Sequence, residues 1–171
     1  KFDEANVMNE LVYRNLSEDA KRQICAWKYG GEYDLYNLPS YEEMQVRQIG
    51  FMNPKSEKNY YGFWDESILV GFVNILEEKE EVFIGIGVNP DLCNKHYGQR
   101  MLLITYEISK KLYPDKPLYL EVRTWNIRAV KCYQKAGFRI DGQAYELTTG
   151  IGTAEEYYPH NSEGTECDHP Q

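Results

Sequence analysis

The sequence lacks the features of a membrane, secreted or metal-binding protein. None of its apolar runs is long enough to span a bilayer, and no signal-peptide pattern is present. The four cysteines lie far apart, which argues against a Cys-x-x-Cys metal spacing and against a disulfide framework. His160, Cys167 and His169 are spread along a polar segment that does not favour a metal site. We therefore expect a cytoplasmic protein with no metal and no membrane partner.

The sequence also has fewer basic than acidic residues. Lysine and arginine number 19 against 27 aspartates and glutamates, which gives a net charge of −8. This balance argues against nucleic acid as the main partner. It is compatible with a cationic amine as substrate, and equally with plain solubility. The 171 residues suit one domain, which we expect over residues 1–158, with the polar segment 159–171 as a disordered tail.

A short helix between two strands is predicted to carry the most informative residues. Asn126 is a suitable N-cap, because its side-chain oxygen can accept a hydrogen bond from an amide of the first turn. Ala129, Tyr133 and Ala136 recur at helical spacing, and Gly137 can adopt the positive φ that ends a helix. A phenol that faces a ligand cleft can deliver a proton. Half-buried packing of Tyr133 is the alternative.

A strand and the polar loop after it form the second chemical feature. Alternation over residues 82–88 predicts a strand in which Gly85 and Gly87 face one side. Glycines in a strand often mark the close approach of a ligand or of another backbone. The loop leads into a long amphipathic helix, whose first amides, with Lys95 and Arg100 nearby, suit a pyrophosphate. A surface loop with a solvated basic pair is the alternative.

These two features together resemble the GNAT superfamily of acyl-CoA-dependent N-acetyltransferases. The spacing Asn-x-x-Ala-x-x-x-Tyr-x-x-x-Gly-Phe, which begins at Asn126, is similar to the second signature of that family. The family's cofactor loop, Arg/Gln-x-x-Gly-x-Gly/Ala, follows a strand that ends in Val-x-Pro, and Val88 and Gly98 occupy matching positions. Cys93 and His96 depart from the loop pattern. Since His96 stands where the middle glycine is usual, we expect an uncommon backbone conformation there.

The resemblance implies a fold, a co-substrate and a partner. The fold is α/β (α+β), with a mixed, mostly antiparallel central sheet of about six to seven strands and helices on both faces. The co-substrate is acetyl-CoA, the partner is a small-molecule or peptide amine acceptor, and a homodimer is common in the family. The aromatic segment 27–36 is similar to one in uncharacterised bacterial acetyltransferases. The residues implied in cofactor binding are Ile86, Val88, Asn94, Lys95, His96, Tyr97, Gly98, Gln99, Arg100, Asn126 and Tyr133.

The resemblance also implies direct transfer of the acetyl group to the amine. Tyr133 would be the general acid for the leaving CoA thiolate, and a backbone amide near Val88 would polarise the thioester carbonyl. The general base stays open. Glu81, just before the cofactor strand, and Glu32, acting through water, are candidates, and a water chain with no single essential base is the alternative.

The segment that would border the acceptor site is acidic and aromatic. Trp27, Tyr29, Glu32 and Tyr33 could bind a cationic amine through charge and cation–π contact. Acceptors of the aminoglycoside or polyamine type and a peptide N-terminus all suit such a segment. Two other functions stay open: a non-catalytic acyl-CoA-binding sensor, which the two departures in the cofactor loop suggest, and a generic phosphate-binding regulator.

Overall fold

The structure, a computed structural model, describes residues 10–140, 145–148 and 154–161. The chain divides into two compact units, Lys1–Val73 with Ile86–Tyr97 and Asn74–Gly85 with Gly98–Gln171. The helices and strands, in chain order, are β1 (Val12–Asn15), α1 (Glu18–Ala26), α2 (Tyr41–Arg47), β2 (Tyr60–Asp65), β3 (Ile68–Glu77), β4 (Val82–Val88), α3 (Tyr97–Leu112), β5 (Leu118–Arg123), α4 (Ile127–Lys135), β6 (Arg139–Ile140), β7 (Tyr145–Thr148) and β8 (Ala154–Asn161).

The first unit contains α1 and α2, and both helices start at serine caps. The Ser17 hydroxyl accepts a hydrogen bond from the amide of Ala20, and the Ser40 hydroxyl accepts one from the amide of Glu43. β1 pairs antiparallel with β2. The helices pack on an apolar core, which therefore fixes both ends of the aromatic segment that joins them. The core residues are Leu16, Ala20, Ile24, Cys25, Met44, Phe51, Trp64 and Leu69.

The second unit contains both parallel and antiparallel strand pairs. β4 runs parallel to β5, with Val82 opposite Leu118. β8 pairs antiparallel with β5, and β6 and β7 pair antiparallel with β8. A parallel pair requires a crossover connection, which α3 supplies after β4. The predicted mixed α/β fold, with a mostly antiparallel sheet, is therefore confirmed.

The last strand extends further than the sequence predicted. Residues 159–161 were assigned to the disordered tail, but they continue β8, in which His160 lies opposite Leu120 and Asn161 opposite Tyr119. Strand pairing joins backbone groups, so a polar segment with no apolar period can pair with an available strand edge. That part of the tail prediction is wrong, and residues 162–171 lie outside the described ranges.

Candidate active site

The helix α4 has the local structure that its sequence predicts. The Asn126 side-chain oxygen accepts a hydrogen bond from the amide of Ala129 at 3.1 Å, and the Asn126 backbone carbonyl accepts one from Val130 at 3.1 Å. Gly137 has a φ of 104° and ends the helix. Asn126 is 6% exposed. Because the Asn126 backbone amide donates to the Arg123 carbonyl at 3.0 Å, a bond that Asn126 donates to a cofactor must come from its side-chain nitrogen.

Tyr133 lies near the C-terminal end of α4 and is half-buried. Its backbone carbonyl accepts a hydrogen bond from Phe138 at 2.9 Å, and Phe138 is buried, so this end of the helix is anchored. Burial raises the pKa of the neighbouring Cys132 thiol, which keeps it protonated and a poor nucleophile. Cys132 is therefore a poor candidate for a covalent step.

The loop between β4 and α3 contains two left-handed residues. Asn94 has a φ of 65° and His96 a φ of 66°, and both side chains are exposed. The uncommon backbone conformation predicted for His96 is therefore confirmed: the residue adopts the conformation that a glycine usually adopts at this position. Asn and His tolerate this region better than other side chains. Left-handed residues in a turn can direct successive backbone amides to one side, which suits an anion such as a pyrophosphate. Lys95 is exposed between them.

The start of this loop is anchored by Asn89. Its amide donates to the carbonyl of Val70 at 2.8 Å, its side-chain nitrogen donates to Leu69 at 3.1 Å, and its side-chain oxygen accepts from Asp91 at 3.0 Å. The Cys93 thiol lies 3.7 Å from the Asn89 carbonyl. The residue that replaces the usual Arg or Gln therefore contacts the loop itself. Nothing in the sequence pattern singled out Asn89.

The end of the loop is anchored by Tyr97, the first residue of α3. Its hydroxyl donates to the Asp65 carboxylate, at the end of β2, at 2.6 Å. No sequence pattern indicated a partner for Asp65. In the second unit, the Gln99 side chain donates to the Lys135 carbonyl at the end of α4 at 3.2 Å. Gln99 was predicted to bind the cofactor, but its side-chain nitrogen hydrogen-bonds to α4 and so links α3 with α4.

The aromatic segment is closed by Asn37 and contacts the end of β4. The Asn37 side-chain oxygen accepts from the Tyr29 amide at 2.6 Å, and its nitrogen donates to the Tyr29 carbonyl at 3.3 Å. The Tyr29 hydroxyl donates to the Val88 carbonyl at 2.6 Å. The rings of Tyr33 and Tyr36 stack with their centroids 6.4 Å apart. Tyr29, predicted to bind the acceptor, thus contacts the backbone of the cofactor strand.

Two predicted residues of the segment differ in their surroundings. Trp27 packs against the core of the first unit, with its ring 6.3 Å from that of Phe72. Glu32 is exposed in the 3₁₀ turn Gly31–Tyr36. Trp27 therefore has a packing role that the sequence did not reveal, whereas Glu32 is open to a cation from solvent.

The glycines of β4 have different neighbours. A Cβ added at Gly87 would lie 2.4 Å from Cε1 of Phe72, so the ring of Phe72 occupies the space above this glycine. A Cβ at Gly85 would lie 3.5 Å from Cβ of Asn74, an ordinary contact. The close approach that the sequence indicated at Gly87 is therefore made by an aromatic side chain.

The candidate base Glu81 lies in the turn between β3 and β4. Its carbonyl accepts a hydrogen bond from the amide of Glu78 at 2.8 Å. In the same unit, the Tyr119 hydroxyl donates to the Glu78 carboxylate at 2.6 Å. Burial, together with this hydrogen bond, raises the pKa of Tyr119, so the phenol stays protonated. Glu78 therefore has a positioned partner that the sequence did not predict.

Within residues 10–140, 145–148 and 154–161, no group of three or more His, Cys, Asp or Glu side chains is arranged to hold a metal ion. None of the helices in this part of the chain combines the length and the apolar character that a membrane span requires.

Comparison with known proteins identifies the family. The model of the acetyltransferase (GNAT) family matches residues 14–138, which is most of the chain. The chain therefore belongs to the GNAT acetyltransferase family, as the resemblance implied. No curated protein matches its sequence.

Solved structures share the fold at low sequence identity. A GNAT-family acetyltransferase from Bacillus anthracis is 18% identical, with a TM-score of 0.72 over 90% of this chain and 95% of that one. A chimera of the spermidine N-acetyltransferase SpeG from Vibrio cholerae and hSSAT is 19% identical, with a TM-score of 0.71 over the same shares. A dodecameric spermidine N-acetyltransferase from Vibrio cholerae is 18% identical, with a TM-score of 0.67 over 89% of this chain and 92% of that one. These likenesses show the GNAT fold.

Proposed function

We propose that this protein is an acetyl-CoA-dependent N-acetyltransferase that acetylates a primary amine by direct attack in a ternary complex. The proposal rests mainly on the structure of α4 in a chain of the GNAT family. Asn126 caps the start of this helix, and Tyr133 lies near its anchored end. The left-handed backbone at Asn94 and His96, in a loop of exposed residues, supports a pyrophosphate contact. Lys95 and Arg100 add positive charge to the same stretch of sequence.

The end of β4 supports the second requirement, a fixed backbone near the thioester. The peptide unit that follows Val88 is held at both ends, because Tyr29 donates to its carbonyl and its Asn89 amide donates to Val70. Ile86 precedes it on the same strand. The Asn89 amide is already engaged by Val70, so the amide that would stabilise charge on the thioester oxygen must belong to a neighbouring residue of this fixed backbone.

The proposed reaction needs no protein nucleophile. The neutral amine nitrogen forms a bond with the thioester carbon, the carbon–sulfur bond breaks, and the electron pair leaves with sulfur. Before the attack, the acceptor ammonium loses one proton to water or to a carboxylate. After the attack, Tyr133 donates its proton to the thiolate, and the second proton lost by the nitrogen returns to the Tyr133 phenolate through water. Glu32 and Glu81 stay candidates for that carboxylate. The exposure of Glu32 favours relay through water.

We propose a small cationic amine of the polyamine type as the acceptor. The net charge of −8 attracts a polycation, and exposed Glu32 and Asp34 lie on either side of Tyr33 in the chain, whose ring stacks with that of Tyr36. The spermidine acetyltransferases among the structural relatives support the same class. The dodecameric relative supports a homo-oligomer. A peptide amine as acceptor, a cytoplasmic location and a bacterial origin stay predictions.

The test is release of free thiol from acetyl-CoA in the presence of an amine panel. The panel contains spermidine, an aminoglycoside and a peptide with a free N-terminus, each at equal concentration. We expect the highest kcat/KM with spermidine. Tight CoA binding with no thiol release from any amine would support the sensor alternative instead. Thiol release with the peptide alone would contradict the polyamine proposal and leave the acetyltransferase proposal standing.

A further inference from the structure

The loop between β4 and α3 keeps a conformation that its sequence does not favour. Asn94 and His96 are both left-handed; asparagine adopts this region readily, but at His96 the conformation costs about 1 kcal/mol relative to glycine. Their side chains are exposed, so burial does not compensate for the cost. Strain of this kind persists only where surrounding contacts fix the backbone. The loop must therefore be held at its ends.

The contacts at the two ends of the loop differ in kind. At its start, Asn89 makes two hydrogen bonds with its side chain and one with its amide, and its carbonyl accepts from the Leu92 amide at 2.8 Å. At its end, one residue after His96, the Tyr97 hydroxyl donates to Asp65 at 2.6 Å. Both partners are half-buried. A hydrogen bond to a carboxylate is stronger than one between neutral groups.

We propose that Tyr97 and Asp65 are positioning residues for the cofactor loop, and that their hydrogen bond replaces the missing glycine at position 96. Asp65 ends β2 directly after Phe63 and Trp64, which are buried, so the carboxylate sits on a rigid strand. The bond holds the residue that follows His96 and thereby limits the conformations open to the loop amides. This role rests on the proposed function, because the loop is the proposed pyrophosphate site.

The first test removes the hydroxyl with Tyr97→Phe and measures CoA affinity by calorimetry. We expect the Kd for CoA and the KM for acetyl-CoA to rise about tenfold, the effect of losing a hydrogen bond to a charged group. The kcat should change by less than about twofold, because Tyr97 does not take part in the chemical step. A general loss of stability would not raise KM tenfold while leaving kcat almost unchanged.

The matched control is Tyr41→Phe. It removes another tyrosine–carboxylate bond, from Tyr41 to Glu18, in the same unit but outside the loop. We expect its CoA affinity to equal that of the wild type. Asp65→Asn keeps an acceptor oxygen and should retain most of the affinity, whereas Asp65→Ala should reproduce the loss seen with Tyr97→Phe.

The second test adds His96→Gly to Tyr97→Phe. Glycine adopts the positive φ without strain, so the double variant should recover most of the lost affinity. Such a recovery would show that the Tyr97–Asp65 hydrogen bond takes the place of the glycine, because a purely structural contact would not be replaced by glycine at position 96. Failure of His96→Gly to reduce the loss would overturn the proposal, as would wild-type CoA affinity in Tyr97→Phe.

Amide hydrogen exchange of residues 93–97, without CoA, separates this inference from the proposed function. Faster exchange in Tyr97→Phe, together with weaker CoA binding, supports the positioning role. Faster exchange with unchanged CoA affinity overturns that role alone. No CoA binding by the wild-type protein contradicts the proposed function, and the positioning role falls with it.

Discussion

The helix α4 and the loop before α3 resemble the GNAT family to different degrees, yet both have the expected backbone. α4 keeps every fixed residue of its signature, with Asn126 as cap and Gly137 at positive φ. The loop lacks the arginine or glutamine and the middle glycine, with Cys93 and His96 in their places. His96 is nevertheless left-handed. The loop therefore depends on contacts with other segments, whereas α4 is determined largely by its own sequence.

The difference is between residues whose own side chains are needed, in α4, and residues that only provide a backbone held by other contacts, in the loop. The residues of α4 are fixed because they act locally, as a cap, a phenol and a helix stop. The residues of the loop can vary if, as proposed, its amides hold phosphate through the backbone, because backbone amides are present whatever side chains they carry. A loop without glycine then requires anchors, and Asn89 and Tyr97 provide them.

The largest effect should come from α4. Tyr133→Phe removes the proposed proton donor, so we expect kcat to fall about a hundredfold or more, with little change in CoA affinity. Steady-state kinetics and calorimetry measure the two quantities. Tyr106→Phe, at a half-buried position on α3, is the control and should keep full activity. A Tyr133→Phe enzyme with the wild-type kcat would remove the general-acid role and leave Tyr133 as packing.

Features that depend on neighbours in sequence could be predicted. The cap at Asn126 and the stop at Gly137 follow from one residue type in one local context, whereas the left-handed position of His96 was expected from the resemblance to the family's loop pattern. The mixed fold followed from the order of such elements.

Features that depend on distant partners could not be predicted. Tyr97 and Asp65 are 32 positions apart, and Tyr29 and Val88 are 59 apart. A tyrosine in a sequence does not specify which acceptor its hydroxyl meets. The same limit explains why Gly87, which lies under Phe72, was interpreted as a possible ligand contact.

The next largest effect should be on stability, at the start of the loop. Asn89→Ala removes the bonds to the Leu69 carbonyl and from the Asp91 amide, and we expect the free energy of unfolding to fall by about 2 kcal/mol. Asn53→Ala, which removes only the exposed bond from the Lys55 amide, is the control and should cost less. Urea unfolding measures both. Equal losses would show that Asn89 is not a special anchor.

A smaller effect is expected from the cap of α4. Asn126→Ala should lower the free energy of unfolding by about 1 kcal/mol, because it removes the bond from the Ala129 amide. Asn126→Asp keeps an acceptor oxygen and should restore the stability. It also replaces the side-chain nitrogen, so a raised KM for acetyl-CoA in this stable variant would indicate that the nitrogen contacts the cofactor. An unchanged KM would limit Asn126 to capping.

The smallest effect should come from restoring glycine to the loop. His96→Gly relieves a left-handed side chain, but it also adds freedom to the unfolded chain, so we expect a net gain of only about 0.5 kcal/mol in the free energy of unfolding. Lys95→Gly is the control, because Lys95 lies in the same exposed loop and is not among the residues with positive φ. That change should destabilise by about 0.5–1 kcal/mol. Opposite signs at adjacent positions, measured by urea unfolding, would show that backbone conformation rather than loop flexibility sets the cost. If both substitutions changed the free energy of unfolding in the same direction, the left-handed conformation of His96 would carry no measurable cost. The loop and α4 would then differ less than their sequences suggest.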